Sequence, residues 1–270
     1  MNNMPQKETP KFLYHYTSIN SLALILQNRT IKFSCLETLN DLTEGLTSDY
    51  GEMGHYVFVS CWTDTPEEHI PLWNMYTPGM AGVRIKLPAD PFKRYGNISI
   101  QGRTAGKFQN SIVPIDEIVG KNYLVFPTSY QLLKMVYTDD VVLLKPKIVE
   151  TLNDGKTTYK LKLLGKYKPI VWGFEAEWRY IIWIIPSAPF DFTDKNYDDK
   201  MVNELKKVAV KKKLPFDHYF LSIRDNAFEE MEIVLGPKHS DGDVATVKAL
   251  ISTYNPKAQL SLSVLTGTIK

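Results

Sequence analysis

The sequence predicts an α+β protein in which helices flank a mixed or antiparallel β-sheet. Its 270 residues are 44% hydrophobic and 12% aromatic, which is enough apolar material for a large core. Many short β-prone runs are separated irregularly by helical patterns, unlike the regular alternation of doubly wound parallel sheets. The chain contains no internal repeat, low-complexity tract or clear linker. We therefore expect a single domain over residues 1–270, with the polar residues 1–10 flexible.

Local signals place the elements of the first third. Short apolar, β-prone runs predict strands over residues 12–16, 31–34, 56–62 and 82–87. Ser18 offers an N-cap hydroxyl to a helix that carries Leu22, Ile25 and Leu26. The Thr65-Pro66-Glu67-Glu68 sequence has the cap, proline and acid pattern of a helix start, and leads into residues 70–76.

The remainder of the chain continues the mixed pattern. Strands are predicted over residues 97–101, 123–126, 141–144, 180–185, 219–223, 231–235 and 259–264. Helices are predicted over residues 130–137, 199–213 and 240–254, and a turn around Asp154-Gly155.

Composition also indicates the compartment. No apolar run approaches the roughly 18 residues that a membrane helix requires. The N-terminal MNNMPQKETP lacks the apolar region of a secretory signal. Cys35 and Cys61 are the two cysteines, and they form no C-x-x-C pattern. We therefore expect a cytoplasmic protein without a membrane partner.

Charge is mild overall but uneven along the chain. The net charge is +2 and the pI is near 8.3, which alone does not indicate nucleic-acid binding. One stretch is crowded with lysines: Lys200, Lys206, Lys207, Lys211, Lys212 and Lys213. Either it is a solvated helix face, or it contacts the phosphate backbone of a nucleic acid.

Several common catalytic motifs are absent from the sequence. It has no G-x-G-x-x-G, G-x-x-x-x-G-K-[ST], H-E-x-x-H or G-x-S-x-G motif. The five histidines show no metal-ligand spacing, so we expect no metal. Cys61 is either a nucleophile paired with a distant histidine or a buried, inert thiol within an apolar strand.

Two constellations remain as candidates for chemistry. The first is Leu13-Tyr14-His15-Tyr16-Thr17-Ser18, at the end of a strand and directly before a helix cap. A strand end holds side chains rigidly at a cleft, so His15 could bind a sugar hydroxyl with support from Thr17 or Ser18. The alternative is a core histidine whose ring is satisfied by a backbone carbonyl.

The second constellation is Trp172-Gly173-Phe174-Glu175-Ala176-Glu177-Trp178-Arg179. If it is the entry to a strand, Glu175 and Glu177 point to the same side. Two adjacent carboxylates repel each other, so the pKa of one rises while the other stays ionised. Such a pair can stabilise a cationic sugar transition state or accept a proton. The alternative is an exposed strand edge with solvated acids.

Two weaker clusters are Asn40-Asp41-Leu42-Thr43-Glu44 and Trp73-Asn74-Met75-Tyr76. Asn-Asp is first a turn or cap signal. Aromatic residues spaced along one helical face, such as Trp73 and Tyr76, usually lie in the hydrophobic core. Tyr76, beside Pro78-Gly79, could instead line a pocket.

Together these motifs resemble a widespread bacterial domain family first catalogued without a function. The matching residues, 13–18, 31–34, 39–44, 60–76, 82–85, 172–179 and 232–237, touch most of the chain, although residues 97–165 contribute little. The opening strand with His-x-Thr, a helix and a second strand is also similar to DarT-like toxins, bacterial ADP-ribosyltransferases that modify nucleic acids. This resemblance implies a split-sheet ADP-ribosyltransferase fold.

The resemblance also implies roles for individual residues. His15 would bind the nicotinamide ribose of NAD, Tyr76 or alternatively Tyr16 would stack on the nicotinamide, and Glu177 would stabilise the oxocarbenium-like ribose. Glu175 completes the E-x-E pair. Thr17 and Arg179, from the same motifs, are expected to belong to the NAD site.

The leading hypothesis is therefore an NAD-dependent mono-ADP-ribosyltransferase that acts on RNA or DNA as a toxin or phage-defence effector. NAD would be the co-substrate, and a cognate antitoxin protein would be a partner. Lys206, Lys207, Lys211, Lys212 and Lys213 would help to bind the nucleic acid. The alternatives are a non-catalytic nucleotide- or partner-binding module, and a metal-dependent nuclease using Asp41, Glu44, Glu175 and Glu177.

Overall fold

A computed structural model describes residues 9–96, 111–114, 117, 121–151, 157–188, 196, 200, 207–208 and 212–269. The strands are β1 (Phe12–Thr17), β2 (Thr30–Cys35), β3 (Leu46–Thr47), β4 (Gly51–Glu52), β5 (Val57–Thr63), β6 (Val83–Pro88), β7 (Tyr123–Lys134), β8 (Val136–Tyr137), β9 (Val149–Thr151), β10 (Thr157–Tyr159), β11 (Tyr167–Lys168), β12 (Glu177–Pro186), β13 (His218–Ser222), β14 (Glu232–Leu235) and β15 (Gln259–Leu262). The α-helices are α1 (Ile19–Asn28), α2 (Ile70–Tyr76), α3 (Val141–Leu144), α4 (Asp225–Glu229) and α5 (Asp241–Tyr254). The predicted strand over residues 97–101, the Asp154-Gly155 turn and residues 1–8 of the segment predicted to be flexible lie outside the described residues.

Nine of these strands form one large sheet, so the predicted α+β class is confirmed. Its main order is β13-β2-β5-β1-β6-β14-β15, and β12 joins β5 to β7. The pairs are antiparallel except β14 with β15, which is parallel. The sheet is therefore mixed and mainly antiparallel, in agreement with the irregular spacing of strands in the sequence.

The sheet divides at β5. Thr63, at the end of β5, has Tyr14 of β1 on one side and Glu177 of β12 on the other. Val59, earlier in β5, has Ser34 of β2 on one side and Ile181 of β12 on the other. Strands β1 and β2 thus share one edge of β5 and separate between Val59 and Thr63. We call this opening the fork.

Hydrophobic side chains on both faces hold the divided sheet in place. On one face Leu13, Phe33 and Ile85 pack with Leu26 of α1 and Val247 of α5. The other face has a second core, formed by residues such as Leu36, Tyr56, Val57, Ile181 and Trp183. Strands β5 and β12 contribute to both cores because alternate residues of a strand face opposite sides. The strands that border the fork are consequently packed into these two hydrophobic cores.

Side chains cap the starts of α1 and α5. Ser18 caps α1 by accepting from the backbone N–H of Ser21 at 3.0 Å, as predicted. Ser240 and Asp243 form a capping box at the start of α5. The prediction that α2 starts at Thr65 is wrong, because the Pro66 carbonyl accepts from Arg84 Nη1 at 2.7 Å. Among the described residues, no helix has the length and apolarity to cross a bilayer.

Two further predictions in the middle of the chain are wrong. Residues 130–134 belong to β7, where Leu132 and Leu133 pair with β12, and residues 136–137 form β8. Strand pairing therefore overrides the helical propensity of this segment. Residues 141–144 form the short helix α3, because the Asp140 carboxylate caps it by accepting from the N–H of Val142 at 2.9 Å.

Candidate active site

A cavity of about 470 Å³ lies in the fork. Both strands of the fork line it, together with α1, β5, the end of α2 and the segment around β11 and β12. Among its lining residues are His15, Tyr16, Thr17, Lys32, Thr38, Leu39, Cys61, Thr63, Tyr76, Lys168, Glu175, Glu177, Arg179, His218 and Phe220. The cavity therefore brings together the two constellations that the sequence analysis selected, although about 160 residues of chain separate them.

His15 bridges the fork with its imidazole. Its Nδ1 donates to the backbone carbonyl of Cys61 at 2.8 Å, between the points where β5 pairs with β1 and with β2. Burial lowers the pKa of His15, against the weaker opposing effect of this hydrogen bond. A neutral imidazole that donates through Nδ1 keeps Nε2 as an acceptor. A backbone carbonyl therefore satisfies the His15 ring, as the core-histidine interpretation expected, and the residue also lines the cavity.

The two candidate tyrosines occupy different environments. Tyr16 is buried, with its ring edge-on to Trp73 at 4.8 Å and its hydroxyl accepting from the His69 N–H at 3.1 Å. Tyr76 is half-buried at the end of α2, and its hydroxyl donates to the Glu175 carboxylate in a short hydrogen bond. Tyr76 is thus the tyrosine that is tied directly to the E-x-E pair. Thr17, the last residue of β1, also lines the cavity.

Five charged side chains form a buried network beside the cavity. The Lys168 ammonium lies 2.6 Å from Glu175, 3.3 Å from Glu177 and 3.6 Å from Glu44. The Arg179 guanidinium contacts Glu177 through Nε at 2.5 Å and holds Glu44 with both terminal nitrogens. All five side chains are at most 6% exposed. Three carboxylates therefore share two cations in an almost fully buried region.

The backbone brings the two glutamates together differently from the prediction. Glu175 does not lie on the strand: it ends a 3₁₀ helix, Ile170–Glu175, and Ala176 follows with left-handed φ and ψ of 44° and 46°. Glu177 is the first residue of β12, and its N–H donates to the Tyr137 hydroxyl at 2.8 Å. The predicted strand register was wrong at Glu175. The two carboxylates nevertheless converge, because both bind Lys168.

The environments of the two glutamates push their pKa values apart. Burial would raise the pKa of Glu177, but the Arg179 and Lys168 charges outweigh it and lower the pKa to about 2. Burial raises the pKa of Glu175, and repulsion by Glu177 adds to this effect against the attraction of Lys168. Glu177 is therefore a permanent anion at neutral pH, and Glu175 is the carboxylate that more readily takes a proton.

Lys168 is the main residue that the sequence analysis missed. Besides its three carboxylate partners, its ammonium lies 4.5 Å from the centre of the Trp172 ring. Burial would lower the pKa of Lys168, but Glu177, Glu44 and Glu175 together raise it, so the side chain is charged. A single lysine in the two-residue strand β11 forms no recognisable motif. The nearby acidic residues and Trp172 were the only sequence features that could have pointed to Lys168.

Arg179 is less free to bind a ligand, and Cys61 less reactive, than the sequence suggested. Arg179 is 1% exposed and engaged by two carboxylates, so it touches the cavity as part of the network. Burial raises the pKa of the Cys61 thiol well above its usual range, and Glu177 adds to that rise. Because the thiolate is the reactive form, this geometry favours the inert-thiol interpretation of Cys61.

Of the four carboxylates proposed for a metal-dependent nuclease, Glu44, Glu175 and Glu177 are already paired with cations. The Lys168 ammonium lies between Glu44, Glu175 and Glu177, in the position that a metal ion would need. Asp41 accepts from the N–H and hydroxyl of Thr43, as a turn-forming residue does. In the part of the chain that the structure describes, no group of three or more His, Cys, Asp and Glu is placed to hold a metal.

The lysine-rich stretch is partly described. Lys206 and Lys211 lie outside the described residues, and Lys207 is helical. The predicted helix does not extend to its end, since Lys212 and Lys213 are not helical. The Lys212 carbonyl accepts from the Tyr56 hydroxyl at 2.8 Å, and Lys213 forms an exposed ion pair with Glu37. Glu37 precedes Thr38, which lines the cavity, so the end of this stretch lies close to the cavity rim.

Comparisons with known proteins add no further assignment. The chain matches no protein-family model, no curated protein and no solved structure.

Proposed function

We propose that this chain is an NAD-dependent mono-ADP-ribosyltransferase, with NAD bound in the fork cavity. The observation that carries the proposal is that His15, Tyr76 and Glu177 line one cavity. These are the residues to which the family resemblance assigns ribose binding, nicotinamide stacking and transition-state stabilisation. The cavity volume of about 470 Å³ also lies within the roughly 300–1,000 Å³ typical of small-molecule sites.

The charges of the site suit cleavage of the bond between nicotinamide and ribose. When that bond breaks, its electron pair leaves with the nicotinamide nitrogen and C1′ of the ribose becomes positive. A fixed carboxylate lowers the barrier to such a step, and Glu177 remains ionised since its pKa is about 2. Its two hydrogen-bonded cations hold it in place before the substrate arrives.

The same site contains candidates for binding the ribose and for removing a proton. The neutral His15 ring has an Nε2 acceptor for a ribose hydroxyl, while its Nδ1 is fixed by the Cys61 carbonyl. The acceptor atom must lose a proton when it bonds to C1′. Glu175, whose pKa is raised by burial, is the proposed base for that proton. Two neighbouring carboxylates whose pKa values differ can divide the work, one as the ionised stabiliser and the other as the base.

The acceptor is proposed to be RNA or DNA, as expected of a toxin or phage-defence effector. Lys32 lines the cavity, and Lys213 pairs with Glu37 near its rim. Lysine contacts with phosphates would supply affinity for a nucleic acid that is independent of its sequence.

Replacing Lys207, Lys212 and Lys213 together with glutamate is expected to reduce labelling of nucleic acid and to weaken its salt dependence. Each phosphate contact contributes to the salt dependence of binding, so the loss should be similar for all sequences. NAD hydrolysis in water should stay unchanged, because none of the three residues lines the cavity. Equal labelling of every acceptor by this variant would show that the stretch is a solvated face.

The proposal is tested by incubating the protein with NAD labelled in its adenylate part and with total bacterial RNA, DNA or protein. We expect label in a nucleic-acid fraction with the wild-type chain, and none with Glu177→Gln or with His15→Ala. Label in the protein fraction would support transferase activity but would show that the acceptor is a protein. Intact NAD in all reactions, together with tight nucleotide binding, would support the non-catalytic binding module instead.

A further inference from the structure

An exposed apolar patch lies beside the segment that carries Lys168 and Glu175. Six large aliphatic side chains between 36% and 81% exposed form it: Leu42, Val141, Val142, Leu143, Ile170 and Val171. Val141, Val142 and Leu143 are three of the four residues of α3, and Ile170 and Val171 begin the 3₁₀ helix that ends at Glu175. None of the six lines the fork cavity.

The members of this patch are neighbours in space. Thr43, Leu143 and Pro169 line one small crevice, which joins the segments of Leu42, α3 and Ile170. The N–H of Ile170 approaches Asp139 Oδ1 at 3.5 Å, and the N–H of Thr138 donates to the Lys168 carbonyl at 2.9 Å. Strands β8 and β11 pair in parallel directly below them. The segments that carry the patch therefore lie close together and are joined by hydrogen bonds.

We propose that this apolar patch is the interface of a symmetric homodimer. Monomeric proteins rarely expose contiguous apolar patches of more than a few hundred Å², and larger ones mark interaction sites. Two-fold symmetry is the commonest arrangement of identical chains, and it requires a surface that is complementary to itself.

The charges around α3 satisfy that requirement. Exposed acids, Asp139 and Asp140, precede the helix, and exposed bases, Lys145 and Lys147, follow it. When two copies of α3 pack antiparallel across a two-fold axis, the acids of one copy lie opposite the bases of the other. A patch flanked by a single sign of charge would repel its own copy. The paired acids are also unfavourable for an anionic lipid surface.

Dimer formation would have a consequence for the site. The patch and the buried network share one segment, since Ile170 and Val171 lie between Lys168 and Glu175. Contact with a second copy would therefore restrain the 3₁₀ helix that positions Glu175.

The test is sedimentation-equilibrium ultracentrifugation of the full chain at low and high micromolar concentrations. The wild-type chain is expected to be a dimer, and Val142→Glu a monomer with an unchanged circular dichroism spectrum. Val264→Glu is the matched control, because Val264 is 79% exposed but belongs to no part of the patch. This control variant should remain a dimer.

A second variant tests the charge arrangement. Lys145→Glu should weaken the dimer, and the double variant Asp139→Lys/Lys145→Glu should restore it. A wild-type chain that is monomeric at every concentration would overturn the proposal, as would a Val142→Glu variant that dimerises as well as wild type. A monomer that sediments with phosphatidylcholine vesicles would also overturn it, and would assign the patch to a lipid surface.

Discussion

Substitution of Glu177 by glutamine is expected to lower the free energy of unfolding by about 3–5 kcal/mol at neutral pH. The glutamine would leave Arg179 and Lys168 buried with one of their shared anions removed. Both cations keep Glu44 as a partner, so the loss comes from the ion pairs of Glu177 itself, whose strength is reflected in its lowered pKa. The loss should be measured by urea unfolding, with and without the substitution.

The same substitution should change the pH dependence of stability. The pKa of Glu177 is about 2, below its ordinary value of 4.5. A depressed pKa means that the carboxylate stabilises the fold fully above about 4.5, and that this contribution is lost as the pH falls towards about 2. The difference between wild type and Glu177→Gln should therefore be constant near neutral pH and shrink within that acid range.

Glu175→Gln is the matched control for this prediction. Glu175 is as buried as Glu177 and lies two residues away, but it contacts Lys168 and not Arg179. Its pKa is raised, so its ionised form is costly to bury. We expect Glu175→Gln to change the unfolding free energy by no more than about 1 kcal/mol. Equal losses for both variants would contradict the division of roles between the two carboxylates.

Substitution of Lys168 by methionine is also expected to destabilise the fold by about 3–5 kcal/mol at neutral pH. Glu44 and Glu177 would then share Arg179 as their cationic partner, and Glu175 would lose the cation that it contacts. The pKa of Lys168 is raised, so its contribution is fully present below its ordinary value of 10.5 and is lost above it, as the pH rises through the higher folded value. The deficit should shrink as the pH falls through the raised pKa of Glu175.

The control is Lys134→Met, a loss of the same charge from a less buried pair. Lys134 lies 2.9 Å from Asp64, and both side chains are more than a quarter exposed. Pairs of this kind contribute about 0–1 kcal/mol. A Lys168→Met variant that unfolds at the same urea concentration as Lys134→Met would show that the buried network does not stabilise the protein.

Much of the fold follows from local patterns in the sequence. The order of β1, α1 and β2, the central strand β5 and the buried strand β12 were predicted close to their observed positions. Their apolar periodicity and the Ser18 cap are strong local signals. The errors occur where tertiary contacts determine the secondary structure. Pairing with β12 makes Leu132 and Leu133 part of a strand, and Arg84 takes the Pro66 carbonyl that a longer α2 would have used.

The candidate site was predictable in its motifs but not in its geometry. His15, Tyr76, Glu175 and Glu177 were selected from sequence, and they line one cavity. The left-handed turn at Ala176 was not predictable, because alanine carries no signal for that conformation. Lys168 and Glu44 join the network through the pairing of β8 with β11 and through long-range contact with Arg179. Such contacts form only in the folded chain, so local sequence patterns do not reveal them.

The most direct test of the proposed function is nicotinamide release from NAD by Glu177→Gln and Glu44→Gln, compared with wild type. Both substitutions remove a buried carboxylate from Lys168 and Arg179, but Glu177 lines the fork cavity and Glu44 does not. Both variants should be assayed at a temperature where they are folded. We expect release to fall about 10²–10³-fold with Glu177→Gln and far less with Glu44→Gln. Equal loss in both variants, or no release by the wild-type chain, would contradict a catalytic role for Glu177 in this cavity.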